Sequence, residues 1–329
     1  MPDIFSFGDI LIDFTPVVIP GRDNALLQIN PGGSAANVAV QAAKCGCDSI
    51  FCGKVGKDRF GEVLKKTLND NGVVTDSLVL DPCADTTLAF VTLDEHGDRS
   101  FTFFRRGSAD TRLMFSEVDL KALDTCKAVH SSSLPFTDNP ARETALKILE
   151  YSKSHNKIIS YDPNWRPLLW SSEEFGVSSM KLGLEFCDVI KVSLEELQLL
   201  TGCVGIHEGI DGLLARGIGL IALTLGADGC VIANEGNRVH LPTYDVKAVD
   251  TTGSGDAFLG ACLCKIIEIG KTLCDLTIEE LLQIGTFANA AGAMCASKLG
   301  AIAGMADRNE ILKCIDSIPL LSTKINLET

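Results

Sequence analysis

Along most of the chain, short runs of apolar residues alternate with stretches whose apolar positions recur at helical spacing. Ile4–Ile12 predicts a strand, and Ala35–Cys45 predicts a helix with Val38, Ala42 and Cys45 on one face. The same reading predicts strands at Ser49–Val55, Ala128–Ser132, Lys157–Asp162, Val189–Val192 and Leu220–Leu225. Between them it predicts helices at Glu62–Asn69, Ala141–Ser154, Met180–Phe186, Glu195–Thr201 and Ile210–Arg216. Two long helices, Asp256–Ile269 and Ile278–Ser297, fill the last third. Such alternation implies an α/β fold: a mostly parallel sheet with helices on both faces.

Two stretches break the rhythm. Asp13–Asn30 alternates with no helix, and Thr87–Thr92 and Arg99–Arg105 read as strands joined by the polar turn Asp94-Glu95-His96-Gly97-Asp98. Two antiparallel pieces inserted into a parallel fold imply a small sheet standing off the main one. No internal repeat or low-complexity linker divides the chain.

Composition narrows the function classes. Apolar residues make up 46% of the 329, which excludes disorder for the bulk. A chain of this size buries roughly 75% of its unfolded surface. No run approaches the roughly 18 uncharged apolar residues of a membrane span. With 29 basic and 43 acidic residues the net charge is −14, which argues against nucleic acid as a partner. Thirteen cysteines are scattered, and the pairs Cys45/Cys47 and Cys262/Cys264 lack zinc-type spacing. They read as buried reduced thiols in a cytoplasmic protein. The opening residues Met1-Pro2-Asp3-Ile4-Phe5 carry no signal-peptide pattern.

The segment Asp250-Thr251-Thr252-Gly253-Ser254-Gly255-Asp256 carries the most chemistry. Gly253, Ser254 and Gly255 at a helix start offer backbone N–H groups and the positive end of the helix dipole to an anion. A carboxylate beside an anion site points to phosphoryl transfer, with Asp256 accepting a hydroxyl proton. Those N–H groups are expected to keep the Asp256 pKa low. A second segment, Gly32-Gly33-Ser34-Ala35-Ala36-Asn37, lets a ligand approach the backbone and places an amide in the first helical turn. Neither a Walker-A nor a G-x-G-x-x-G motif is present.

Together these segments resemble the two signatures of the ribokinase/PfkB sugar-kinase family. Gly32, Gly33, Asn37 and Ala39, then Gly46 and Gly56, match the first; Asp250 through Asp256, with Gly260 and Ala261, matches the second. The resemblance spans essentially the whole chain. It implies a ribokinase-like three-layer α/β/α sandwich with a mostly parallel central sheet. The kinase domain would span 1–320, with a core at 1–12, 34–86 and 107–320, a small β-sheet lid at about 13–33 and 87–106, and a tail at 321–329. It implies ATP-dependent phosphorylation of a sugar hydroxymethyl group. Asp256 would be the base, Gly253–Gly255 the anion hole, and Asp13, Gly32, Gly33 and Asn37 the sugar site. Thr224, Gly226 and Gly229 would meet the nucleotide, and Asn289 the adenine. The family's N-x-x-E element appears here as Ser193-Leu194-Glu195-Glu196, with serine in place of asparagine, so that Glu196 would organise Mg²⁺ through water. Asp250 and Thr252, with carbonyls at Cys295, Lys298 and Gly300, would hold K⁺, although Gly304 stands where some members supply a serine.

Leu11-Ile12-Asp13-Phe14-Thr15-Pro16, Phe103-Phe104-Arg105 with Ala109-Asp110, and Tyr161-Asp162-Pro163-Asn164-Trp165-Arg166 look most like the fructokinase branch. That likeness implies fructose and ATP as partners, with Arg105 reaching over the sugar from the lid and Arg166 facing sugar or phosphate. An arginine pair also suits a carboxylate, so 2-keto-3-deoxygluconate is the alternative substrate. A non-catalytic sugar-binding protein is disfavoured by the intact Asp256. A homodimer is left open.

Overall fold

The computed structural model describes residues 2–17, 26–93 and 99–323. The expected turn at 94–98, residues 18–25 of the first inserted piece and residues 324–329 of the tail lie outside the described residues. Fourteen strands are formed by the described residues: β1 (Ile4–Phe7), β2 (Leu11–Val17), β3 (Leu26–Gly32), β4 (Ser49–Gly56), β5 (Val73–Val74), β6 (Leu78–Asp81), β7 (Leu88–Leu93), β8 (Arg99–Phe104), β9 (Ala128–Ser132), β10 (Ile158–Asp162), β11 (Val189–Ser193), β12 (Leu220–Thr224), β13 (Cys230–Ala233) and β14 (Arg238–Leu241).

Ten of them build one sheet in the order β14-β13-β12-β11-β10-β9-β1-β4-β5, with β6 also paired to β4. From β12 to β5 every pairing is parallel, and β13 and β14 close one edge as antiparallel strands. The remaining four form a separate sheet, β3-β2-β7-β8.

Strand alternation decides which helix each strand residue meets. Ile4, Ala128, Val189, Leu220 and Ala222 share one core with Val38, Leu259, Leu263 and Ile284. Their neighbours Phe5, Val129, Ile190 and Ile221 turn to the other face and pack with Ile148, Met180, Leu197 and Ile210. Each valine, leucine, isoleucine, methionine or phenylalanine among them, fully buried, contributes about 1.5–3 kcal/mol, so both faces must be covered. The result is the expected three layers.

Two expectations are corrected. The predicted strand Ile4–Ile12 is two strands, because the chain leaves the large sheet at Gly8 and enters the small one at Leu11. The thiols are not all reduced: Cys47 and Cys264 form a disulfide, their Cα atoms 6.1 Å apart, where the chain just past helix Ser34–Lys44 packs on helix Ser254–Ile269. The other eleven cysteines are free.

Candidate active site

Two helix N-termini converge at the carboxyl edge of the parallel strands, where open α/β sheets bind ligands. Helix Ser254–Ile269 starts after Gly253, whose φ of 79° favours glycine and whose missing Cβ would lie 2.7 Å from that of Ala301. Helix Ser34–Lys44 starts after Gly33, with φ 120°; a Cβ there would fall 2.6 Å from the Asp9 carbonyl oxygen and the Ile10 Cα. No side chain caps either helix at its N-cap residue.

The convergence joins the two glycine segments at one carboxylate. Asn37 Nδ2 donates to Asp256 Oδ2 at 2.8 Å, and Ser34 Oγ donates to Asp256 Oδ1 at 3.2 Å. Buried Asn37 Oδ1 and Ser254 Oγ have no protein partner there, which leaves polar capacity for a ligand. The expected low pKa of Asp256 is corrected. Burial, with the Asp162 carboxylate nearby, pushes its carboxyl up to about 7, against the pull of Asn37, Lys191 and Arg166. A carboxylate titrating near neutrality is well matched to taking a proton.

The expected sugar residues are partly assembled. A Cβ on Gly32 would lie 2.9 Å from Asp13 Oδ2, so the Asp13 carboxylate sits beside the Gly32-Gly33 turn. Arg166, exposed after β10, lies near enough to Asp256 to lower its pKa, and the turn Pro167–Leu169 that follows touches β8 of the small sheet.

Arg105 differs from its expected place. It does not extend from a lid hairpin but is 8% exposed just after β8. Its Nε donates to Asp110 Oδ2 at 2.7 Å, Nη1 to Thr137 Oγ1 at 2.5 Å and Nη2 to the Leu134 carbonyl at 3.1 Å. The guanidinium fork is turned to the protein and clamps the root of the small sheet to the core.

On the far side of Gly255 a groove of about 320 Å³ runs past Thr224, Gly226, Gly229 and Ser254 to Asn289. The Asn289 amide donates to the Leu241 and Pro242 carbonyls, which ties helix Ile278–Ala296 to the end of β14. Thr224 Oγ1 donates to the Val192 carbonyl. A larger hollow of about 900 Å³ opens at the opposite edge of the sheet beside Ile158, Asp188 and Gly219, and holds neither glycine segment. The narrower groove is the one lined by Ser254 and Gly255, the two residues that precede Asp256.

Ser193 and Glu196 form a capping box at helix Leu194–Thr201: Glu196 N donates to Ser193 Oγ, and Ser193 N to Glu196 Oε2 at 2.7 Å. Glu196 Oε1 accepts from Trp165 N at 2.8 Å. Burial raises the Glu196 pKa, but the Lys191 charge and these N–H groups bring it below the usual value. Each Glu196 oxygen accepts one backbone N–H and keeps a further lone pair with which it could hold a water of Mg²⁺. The described residues offer no cluster of three or more His, Cys, Asp or Glu side chains for a metal, so the site suits a divalent ion brought in by phosphates.

The residues expected around K⁺ do come together. Asp250 is buried, its Oδ1 accepting from Thr252 N at 2.9 Å and its Oδ2 from Gly300 N at 3.1 Å. Cys295 Sγ points at the Thr252 and Ala301 carbonyls. The Lys298 ammonium turns away to Glu310 at 2.8 Å, so only its carbonyl is available. Carboxylate and backbone carbonyl oxygens are hard donors of the class an alkali cation takes.

Sequence reasoning missed three buried charges. Asp9 accepts from Ser34 N at 2.8 Å and from Ser132 Oγ, fixing the start of helix Ser34–Lys44; burial pushes its pKa up. Lys191 and Asp162 pair at 3.0 Å below Gly255. The signal was a lysine inside the apolar run Val189-Ile190-Lys191-Val192, since a buried lysine is rarely left unpaired.

The model of the pfkB family carbohydrate kinases matches residues 1–308. Fructokinase-1 of Oryza sativa subsp. japonica is 38% identical over 318 residues, covering 95% of this chain and 98% of that protein. The crystal structure of fructokinase with bound ATP from Xylella fastidiosa superposes with a TM-score of 0.88 at 31% identity, over 95% of this chain and 98% of that one. Fructokinase from Vibrio cholerae O395, in its fructose, ADP and calcium ion bound form, gives 0.85 at 32% identity, over 96% and 99%.

Proposed function

Because the chain belongs to the pfkB family of carbohydrate kinases, we infer that it transfers the γ-phosphoryl group of ATP to the 6-hydroxymethyl group of fructose. The observation that carries this reading is the 2.8 Å contact between Asn37 and Asp256, which makes one site of the two glycine segments. Fructose lies under the small sheet, which acts as a lid, against Asp13, Gly33 and Asn37. ATP lies in the groove from Asn289 to Gly255. The sugar O6 forms a bond to the γ-phosphorus as the bond from that phosphorus to the β–γ bridging oxygen breaks. The O6 proton passes to Asp256, ADP leaves, and fructose 6-phosphate remains. The N–H groups after Gly253 hold the phosphoryl oxygens as charge moves onto the leaving oxygen. Mg²⁺, when bound, neutralises phosphate charge, and Glu196 would orient its water.

Fructose is favoured over 2-keto-3-deoxygluconate because Arg105, one of the two arginines able to read a carboxylate, is engaged by Asp110. A panel of fructose, ribose and 2-keto-3-deoxygluconate with ATP, scored by kcat/KM, tests the assignment. Faster turnover of the keto acid would reassign the substrate.

Asp250 and the carbonyls of Thr252, Cys295 and Gly300 hold K⁺ in this reading. Activity should therefore be higher in K⁺ than in Na⁺ or choline at equal ionic strength. Equal rates in the three salts would remove the cation from the scheme.

The edge strand β3 exposes Leu26, Leu27 and Ile29, at 42%, 47% and 49%. An exposed apolar edge invites strand pairing, and a homodimer joined through β3 would cover it. Light scattering should give twice the chain mass, and Leu27→Asp should give the monomer; a monomeric parent chain would refute the dimer. No described helix is long and apolar enough to cross a membrane, and eleven free thiols favour the cytoplasm as the site of action.

A further inference from the structure

We propose that Lys191 belongs to the phosphoryl-transfer site, its ammonium supplying positive charge to the transferring group from behind the Gly253–Gly255 turn. The proposal rests on the kinase reading above and adds a residue to it. Ile190 and Val192 turn into the core under helix Leu194–Thr201. Lys191, between them on β11, therefore points to the opposite face, under the start of helix Ser254–Ile269. A Cβ built on Gly255 would lie 3.1 Å from Lys191 Nζ and 3.3 Å from its Cε.

Gly255 follows an ordinary helical path, unlike Gly253, so its backbone does not require glycine. Glycine is also among the weakest helix formers. Its structural effect here is space: the one direction a side chain would take is the direction of the ammonium.

The electrostatics point the same way. Lys191 is 7% exposed and donates to Asp162 Oδ2 at 3.0 Å and Oδ1 at 3.3 Å. An ammonium has three N–H groups, so Asp162 leaves a third. The dipole at a helix start disfavours a buried cation, and Asp162, Glu196 and Asp256 offset this and hold the ammonium charged. The same arrangement becomes favourable when an anion arrives where the helix dipole and the ammonium add. The carboxylate of Asp162 fixes the ammonium from the side of β10 and leaves the face toward Gly255 for the phosphoryl group.

A purely structural Lys191 would serve only to neutralise Asp162, and paired substitutions separate the two roles. Lys191→Met should lower kcat by about 10²–10³-fold, the range for loss of a group that stabilises transition-state charge. Fructose affinity, measured by calorimetry without nucleotide, should change by less than about threefold, because no phosphoryl group is then present for the ammonium to meet. Asp162→Asn/Lys191→Met removes the ion pair as a pair, so it can fold even where Lys191→Met cannot. It should bind fructose yet stay at least about 10²-fold slow. Recovery of this double variant to within about tenfold of the parent kcat would reduce Lys191 to a counter-ion and overturn the proposal. Loss of fructose binding in both variants would overturn it too. The parent chain is assayed alongside. Failure to turn over any sugar would sink the kinase reading and the proposal with it, whereas an active parent with an active double variant would sink only the role of Lys191.

Discussion

Asp256→Asn is expected to stop turnover while leaving fructose bound. Asparagine matches aspartate in size, and its carbonyl oxygen can still accept from Asn37, which now donates at 2.8 Å. What it cannot do is take the O6 proton. Positioned proton-transfer groups contribute typically 10²–10⁴-fold, so kcat should fall by about 10²-fold or more. The parent enzyme should report the same group through pH. Burial and Asp162 push the Asp256 carboxyl up to about 7. Below that pH it is protonated and unable to accept; above it the base is available. kcat/KM for fructose should therefore rise with pH through about 7 and level off above, since kcat/KM follows the free enzyme. An Asp256→Asn enzyme keeping more than about a tenth of the parent kcat, far above that range, would remove Asp256 from the role of base.

Arg105→Ala is expected to act on stability first. Asp110, itself buried, accepts from Arg105 Nε at 2.7 Å and from Thr87 Oγ1 at 2.6 Å. Removing the arginine leaves that carboxylate uncompensated, and breaking a buried pair from one side costs about 3–5 kcal/mol. The bonds to Thr137 and Leu134 disappear with it. Denaturant unfolding should show the loss. Arg105→Lys should recover only part of it, because one ammonium cannot reproduce three directed bonds. Unchanged unfolding together with loss of fructose affinity would show instead that the guanidinium leaves Asp110 for the sugar.

The layered fold was legible because buried parallel strands and amphipathic helices have different periods, and both recur in order from β1 to helix Ile278–Ala296. The glycine segments were legible because positive φ at Gly33 and Gly253 admits few other residues. Arg105 was misplaced because nothing in Phe103-Phe104-Arg105 tells whether a guanidinium turns outward or back to Asp110, a few residues on. Ser193 and Glu196 carry the S-x-x-E spacing of a capping box, and their pairing in the structure is that box. The Asp256 pKa was misjudged because donors close in sequence are visible and burial by distant segments is not. Cys47 and Cys264 paired across 217 residues, and connectivity among many cysteines cannot be deduced from sequence.

The route of the backbone between the small sheet and the base has a mechanical consequence. β3 ends at Gly32, and one residue later the helix begins that carries Ser34 and Asn37, both bonded to Asp256. Only Gly33 separates β3 from the helix whose Ser34 and Asn37 donate to Asp256. In the kinase reading, the strand that would cover a sugar and the helix whose donors hold the proton acceptor are therefore one residue apart. In that reading, a nucleotide bound without sugar faces a base that Ser34 and Asn37 still engage.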